Sequence, residues 1–257
     1  MTVITEHVRA DGVRLLTASG VRSLLSLALV VLLQGACAQQ VPLSDRTAAN
    51  PESLTGKAQR AKQQGKKALI IEGDSALTGN FIEYRDLREA MANHIRAVVV
   101  RLEDQYSVLH GDRNVGTWCK FRVLSALSPP VVDPSVPLLA TYPEESRPMR
   151  FLPLPSGYVL VSQPGGTLSI DGVEVVETDR AFPAFRPGET YLLFLAVSAE
   201  NVGGVALGLD GAYLVSGPDA LVPRRKTGSR IQKEIQALSG GSLSQLRGAL
   251  RTGGYGL

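Results

Sequence analysis

"TYLLFLAV", residues 190–197, is the strongest indication of the fold, because both of its alternating faces are apolar. Side chains of a β-strand point alternately to the two sides of the sheet. One side takes Leu193, Leu195 and Val197, and the other takes Leu192, Phe194 and Ala196. A strand with one face in water would carry polar residues on that face. The pattern therefore predicts a central strand that is covered on both sides.

Short strands and turns extend from this segment in both directions. "AVVVRLEDQYSVL" (97–109) and "GTWCKFRVLSAL" (116–127) flank the turn residues "HGDRN", so they are predicted to pair as a hairpin. Two more strands are expected in 157–177, and a closing hairpin in 203–217. Residues 98–216 would thus hold roughly six to eight short strands, which indicates a small antiparallel (OB-like) barrel or a sandwich.

Helices are expected on both sides of these strands, so the predicted fold class is mainly β with flanking helices. A short basic helix is predicted at 53–64, and another helix near 82–95. The apolar stripe of the second helix consists of Ile82, Leu87, Met91 and Ile95. Two amphipathic helices, 229–238 and 242–250, are expected in the tail, packed on the barrel.

The chain divides into four parts by composition. A signal peptide is predicted at 1–38, a polar lead with the basic helix at 39–66, a β-barrel domain at 67–216 and a helical tail at 217–257. Within the barrel domain, 128–155 is a loop rich in proline. Loops of this length are often functional, so it is the first expected binding surface.

The β-rich section resembles an uncharacterised exported bacterial β-barrel module. The shared features are a Pro-Gly-Gly hairpin, here in 163–177, and a strand of the form Pro-x-Phe-x-x-Gly-Glu-x-Tyr-Leu-Leu-Phe-Leu, here 183–195. The resemblance implies a barrel over about 95–216 but no catalytic residues, because no activity is assigned to the module. The layout is also similar to the OB-like barrel of netrin and metalloprotease-inhibitor domains. Those inhibitors need a disulfide-locked N-terminal cysteine, which this chain lacks, so inhibition is not implied.

An apolar run, "SLLSLALVVLL" (23–33), indicates export. The run suits the core of a signal peptide and is too short for a bilayer-spanning helix, which needs roughly 20 residues. The expected location is periplasmic or extracellular, with a membrane-anchored lipoprotein as the alternative. Ala36-Cys37-Ala38 fits an A-x-A cleavage site, whereas Gly35-Ala36-Cys37 resembles the end of a lipoprotein box in which Cys37 is lipidated. Both forms of processing stay open, although Gln34 stands where the box usually has leucine.

The charge of the chain gives no reason to expect a nucleic acid as partner. The full sequence has a formal net charge of +3, and a chain that is so close to neutral has little attraction for a polyanion. Arg224, Arg225 and Lys226 would resemble a nucleic-acid patch only in isolation. The expected partner is instead an unknown protein, a glycan or a membrane surface.

"GDS" at 73–75 raises the question of catalysis, since a strand followed by Gly-Asp-Ser resembles the nucleophile block of the SGNH (GDSL-type) hydrolases. In that family a histidine near the C-terminus activates the serine. No histidine follows His110 in this chain, so Ser75 is interpreted as a turn residue. No catalytic residue is therefore predicted.

Metal binding and thiol chemistry find no stronger support in the sequence. A metal site would need both His94 and His110 with carboxylates such as Asp104 or Asp112, and the spacing does not require one. No cofactor is expected. Cys119 lies in strand-like "TWCKFRV", so it is interpreted as a small buried residue rather than a reactive thiol.

The sequence therefore predicts an exported, noncatalytic envelope protein in which a β-barrel module has a binding or structural role. The alternative is an exported hydrolase with a degenerate GDS motif at Ser75.

Processing can be tested directly. Because the A-x-A rule is satisfied and Gln34 disturbs the lipoprotein box, the mature protein is expected to begin at Gln39 and to enter the aqueous phase of a detergent separation. Intact mass spectrometry checks this expectation. An acylated Cys37 as the first residue would contradict it.

Overall fold

The computed structural model describes residues 40–41, 50, 52–73, 84–128, 142, 144–253 and 255. The strands in these residues are β1 (Gln40–Val41), β2 (Ala68–Gly73), β3 (Arg96–His110), β4 (Asn114–Ala126), β5 (Tyr158–Pro164), β6 (Gly166–Ile170), β7 (Val173–Asp179), β8 (Thr190–Val197), β9 (Val202–Val205), β10 (Ala212–Ser216) and β11 (Ala220–Pro223). The helices are α1 (Leu54–Gln63), α2 (Leu87–Ala92), α3 (Arg230–Ser239) and α4 (Leu243–Thr252). The predicted class, mainly β with flanking helices, is confirmed.

Five strands close into a barrel. β3 pairs with β4, β4 with β5, β8 with β3 and β8 with β9, all antiparallel, and the parallel pair β5–β9 completes the ring. If these strands are numbered one to five along the chain, the order around the ring is 1-2-3-5-4, which is an OB-like barrel. Because the ring of strands is closed, the fold is a barrel and not the sandwich that the sequence also allowed.

β8 is the centre of this barrel, as its two apolar faces predict. It pairs with β3, β9 and β10, and Leu192, Leu193, Phe194 and Leu195 are each at most 1% exposed. Leu193 and Leu195 pack inside the barrel, whereas Leu192 and Phe194 pack against a helical layer outside it. The exception is Ala196, which is exposed and lies opposite Gly204 of β9.

The helical layer consists of α2, α3 and α4, which share one apolar cluster with the outer face of β8. α3 and α4 begin at the predicted places because the side chains of Ser229 and Ser242 cap them, each accepting a backbone N–H of the first turn. Their apolar stripes are buried on the barrel rather than exposed to a partner. The buried members are Ile231, Ile235, Leu243, Leu246 and Leu250.

α2 is shorter than the predicted helix near 82–95. It covers Leu87–Ala92, and His94 after it has φ 66°, a left-handed conformation that ends the helical run. Leu87, Met91 and Ile95 of the predicted stripe are buried together, while Ile82 lies outside the described residues.

A second sheet lies in the order β1-β6-β7-β2, and α1 packs on it. Residues 157–177 therefore contain three strands rather than the two expected. β5 stays in the barrel, and Gly165 (φ 82°) and Gly166 (φ 149°) turn the chain into the β6–β7 hairpin. These backbone angles strongly favour glycine, which has no Cβ.

The prediction of a closing hairpin in 203–217 is wrong. β9 joins β5 and β8, whereas β10 pairs with β8 and with β11. The chain leaves β9 through Leu207 (φ 62°) and Gly208 (φ 54°) and a turn of 3-10 helix, so the two strands do not meet as neighbours. Gly203 allows the close approach of β9 to β8, since a Cβ there would lie 2.0 Å from the carbonyl oxygen of Ala196.

No helix in the described part of the chain combines the length and apolar character that crossing a membrane requires.

The position of Phe194 gives a stability prediction. Phe194→Ala removes a fully buried ring and leaves a cavity between β8 and the helices, so the free energy of unfolding should fall by about 3–5 kcal/mol. Leu124→Ala on β4 is the control, because Leu124 is 50% exposed and its truncation should cost less than about 0.5 kcal/mol. Urea denaturation measures both values. Equal losses would show that β8 is not the centre of the core.

Candidate ligand-binding site

A cavity of about 270 Å³ lies where β5 and β9 end. Because these two strands are parallel, their carboxyl ends meet at the same edge of the barrel. The loop 181–185 before β8, the turn at 208–209 and residues 224–225 after β11 complete the walls. The apolar lining includes Phe182, Pro183, Phe185, Val205, Leu209 and Ala212. We call this space the barrel-end cavity.

Gln163 is the polar residue that distinguishes the barrel-end cavity. It follows Val159 and Val161 at two-residue spacing on β5, and both valines pack inside the barrel. Gln163 is only 6% exposed, and its Oε1 has no hydrogen-bond partner among the described residues. A buried acceptor without a partner costs about 1–3 kcal/mol, so a donor that reached this oxygen would be strongly favoured.

Arg224 holds the loop that walls the cavity. Its guanidinium carbon lies 4.0 Å from the ring centroid of Phe185 and 5.3 Å from that of Tyr191. Its Nη2 donates to the carbonyl of Pro183 and, over 2.7 Å, to that of Ala184. Burial lowers the pKa of Arg224, but an arginine starts so far above neutrality that the group stays charged.

Arg224 and Arg225 are the charged residues among the described ones that line the barrel-end cavity. Neither forms an ion pair with a carboxylate in the described part of the chain. Glu72 pairs with Arg180, whereas Glu189 lies 3.9 Å from Arg186 and acts on Arg224 only from beyond ion-pair distance. Arg225 instead donates to the carbonyl of Arg180 over 3.1 Å. The mouth of the cavity therefore has an excess of positive charge.

A second cavity, of about 330 Å³, borders the first and has the opposite charge. Gln163, Phe182 and Pro183 line both cavities, and the second one also contains Glu177 and Asp179. Glu177 accepts the backbone N–H of Val115 over 2.6 Å, while burial and then the charge of Asp179 raise its pKa. The segment at 182–183 thus separates an acidic space from a basic one.

Cys119 is buried, as predicted. It is fully enclosed inside the barrel, and its Sγ lies 3.7 Å from Oε1 of Gln105. Burial raises the pKa of the Cys119 thiol, so the reactive thiolate is disfavoured.

Tyr191 and Glu189 form a polar pair at the start of β8. The hydroxyl of Tyr191 donates to Glu189 over 2.5 Å and accepts the backbone N–H of Arg186. Burial, followed by this bond to Glu189, raises the pKa of Tyr191 to about 12. The pair fixes the chain where it enters β8.

The structure does not bring the candidate metal ligands together. His94 precedes β3 and His110 ends it, so the whole 15-residue strand separates them. Asp104 pairs with Arg150 at 3.1 Å, and Asp112 accepts the backbone N–H of Thr55 at the start of α1. In the described ranges, no group of three or more His, Cys, Asp and Glu side chains could hold a metal ion.

Two sites considered in the sequence lie outside the described residues: Ser75 with its neighbour Asp74, and the lipidation candidate Cys37. The proline-rich loop is described at 128, 142 and 144–155, and the last of these stretches packs on the outer barrel wall. There the indole Nε1 of Trp118 donates to the carbonyl of Ser146 over 2.7 Å. Residues 144–155 contribute nothing to the lining of the barrel-end cavity, which lies at another part of the barrel.

Sequence reasoning missed Gln163, although a signal for it exists. In "YVLVSQ" (158–163) the alternation puts a glutamine on the same face as two valines, which marks a polar residue on an inward face. Arg224 offers no comparable signal. Its contacts, Phe185 and Tyr191, lie more than thirty residues away in the sequence.

Comparisons with protein-family models, with curated proteins and with solved structures gave no match. The resemblance to an exported β-barrel module therefore stays a prediction.

Two buried glutamines provide a matched stability test. Gln163→Leu removes an acceptor without a partner, so the free energy of unfolding should stay level or rise by about 1–2 kcal/mol. In Gln232→Leu the free energy of unfolding should fall by about 1–3 kcal/mol. The Gln232 side chain accepts the backbone N–H groups of Thr227 and Gly228 and donates to the carbonyl of Arg225. Chemical denaturation compares them. A loss in Gln163→Leu as large as in Gln232→Leu would mean that the amide of Gln163 is already paired in solution.

Proposed function

We propose that the protein is an exported, noncatalytic binding module of the bacterial cell envelope, and that the barrel-end cavity is its ligand site. One observation carries the proposal: Gln163 lines a largely apolar cavity that two arginines border, and its buried Oε1 has no partner among the described residues. Sites for small molecules are mostly apolar with a few well-placed polar groups. The export part of the proposal is supported by the apolar run at 23–33.

The chemistry of the cavity favours binding over catalysis. Proton transfer needs a group whose pKa lies near the working pH. The amide of Gln163 does not titrate in that range, and Arg224 and Arg225 remain cations. These groups can hold and orient a ligand. They are poorly suited to move a proton or to attack a carbon atom.

The volume of the cavity limits the ligand to a small one. About 270 Å³ lies just below the roughly 300–1,000 Å³ that is typical of small-molecule sites. One or two aromatic ring systems, or one short acyl chain, would fill it. A folded protein or a long glycan would contact the rim and leave Gln163 without a donor.

Occupancy of the cavity can be tested with N-phenyl-1-naphthylamine, a neutral apolar fluorophore that carries one N–H donor. The mature protein should enhance its fluorescence, and Val205→Phe should abolish the enhancement. Val205 of β9 lines the cavity and packs against the interior cluster of the barrel, so the larger side chain would fill part of the cavity. Val222→Phe on β11 is the matched control, since Val222 is 45% exposed and does not line this cavity.

Retained melting temperatures in both variants would show that each one folds. Binding by wild type and Val222→Phe, but not by Val205→Phe, supports the proposal. Equal binding in all three proteins, or none in the wild type, would overturn the cavity as the ligand site. Hydrolysis of an esterase, glycosidase or peptidase substrate that is lost in Ser75→Ala would overturn the noncatalytic part.

A further inference from the structure

We infer that the barrel-end cavity selects a small apolar anion that also carries a hydrogen-bond donor, for example a hydroxylated aromatic carboxylate. The inference rests on the proposed function, because it assigns a ligand class to the same cavity. Three features of the described residues determine the class: the apolar wall, the two arginines and the amide of Gln163.

The wall requires an apolar body. Phe182 and Phe185 line the cavity together with Val205 and Leu209. Phe185 also contacts the guanidinium of Arg224 and, in edge-on arrangements, the rings of Tyr191 at 4.9 Å and Phe121 at 5.1 Å. An aromatic or short aliphatic group would replace water against these surfaces, which is favourable in proportion to the apolar area covered.

The arginines require an anionic group. Arg224 and Arg225 border the apolar space, and neither forms an ion pair with a carboxylate in the described part of the chain, although the charge of Glu189 acts on Arg224. A planar guanidinium matches the geometry of a carboxylate and binds it through charge-assisted hydrogen bonds. Arg224 stacks on Phe185 and donates to two loop carbonyls, whereas Arg225 donates to one carbonyl, that of Arg180, so Arg225 is the better candidate for the direct contact.

The neighbouring acidic cavity favours one orientation of the ligand in the barrel-end cavity. Glu177 and Asp179 lie on the far side of the segment at 182–183. An anion there would be repelled by their charge, while the same anion beside Arg225 would be attracted. The charged end of the ligand should therefore face Arg225, and its apolar body should lie against the phenylalanines.

The side chain of Gln163 favours a ligand that carries a hydrogen-bond donor. Its buried Oε1 accepts nothing from the described residues, so a ligand hydroxyl or N–H would gain this bond. A site built to hydrogen-bond a substrate group discriminates strongly against the analogue without it, because a buried polar group is then left unpaired. An apolar acid with a hydroxyl should thus bind better than the same acid without one.

Three matched probes separate these requirements. 3-Phenyllactate has the ring, the hydroxyl and the carboxylate, 3-phenylpropionate lacks the hydroxyl, and 3-phenyl-1,2-propanediol lacks the charge. Calorimetric titration of the mature protein should show 3-phenyllactate binding at least about tenfold more tightly than either analogue, which corresponds to about 1.4 kcal/mol.

Two variants assign the preferences to residues. Arg225→Gln should lose the preference for 3-phenyllactate over the diol. Gln163→Leu should lose the preference for 3-phenyllactate over 3-phenylpropionate. Lys226→Gln is the control for a change in net charge, because Lys226 is exposed and does not line this cavity, so both preferences should persist in it. Binding of N-phenyl-1-naphthylamine should be retained by Lys226→Gln, which leaves the lining of the cavity unchanged.

The outcomes distinguish this inference from the proposed function. If the neutral fluorophore binds in the cavity but the three probes bind equally, the ligand class is wrong and the binding site stands. Preferences that persist unchanged in Arg225→Gln or in Gln163→Leu would also overturn the inference. If the fluorophore does not bind to the wild type, the proposed function and the inference fail together.

Discussion

The rest of the structure depends on a single constraint: both faces of β8 must be kept from water. Leu193 and Leu195 require a barrel interior, while Leu192 and Phe194 require a second layer outside it. Burial of one such side chain contributes roughly 1.5–3 kcal/mol, so leaving either face exposed would cost much of the 5–15 kcal/mol that stabilises an ordinary domain. The tail helices α3 and α4 meet the second requirement. They are thus part of the barrel's core packing, even though the sequence separates them from it.

The closure of the barrel also creates the candidate site. A ring of five strands needs one parallel pair, β5–β9, and the two carboxyl ends of that pair meet at one edge. The chain between β7 and β8 crosses this edge as a loop. Asp179 accepts backbone N–H groups at the start of the loop, and Arg224 binds carbonyls farther along it. A cavity between fixed strand ends and a pinned loop has a defined shape, which is what selective binding of a small molecule needs.

The residues at this edge do not follow the pattern of the core. Gln163 takes a position on the face that Val159 and Val161 occupy farther up β5, and a leucine there would satisfy packing without an unpaired acceptor. Arg224 brings a cation against Phe185 without forming an ion pair with a carboxylate in the described residues. Departures of this kind lower stability locally, so they are expected where a site has a function beyond folding. The same reasoning does not apply to Cys119, which packs like any other small core residue.

Elements whose signal is local could be predicted from the amino-acid sequence. The double-faced apolar pattern of 190–197 indicated the central strand, the 110–114 turn indicated the β3–β4 hairpin, and Ser229 and Ser242 marked the starts of the tail helices. Only the tertiary structure decided which strands are neighbours. The pairing of β9 with β5 depends on contacts about forty residues apart, and nothing in the short strand "VGGV" specifies that partner. The site could not be predicted from local sequence either, because Gln163, Arg224 and Phe185 come from separate elements and meet only when the barrel closes. Local patterns reflect backbone geometry and burial, whereas a cavity depends on where distant segments end.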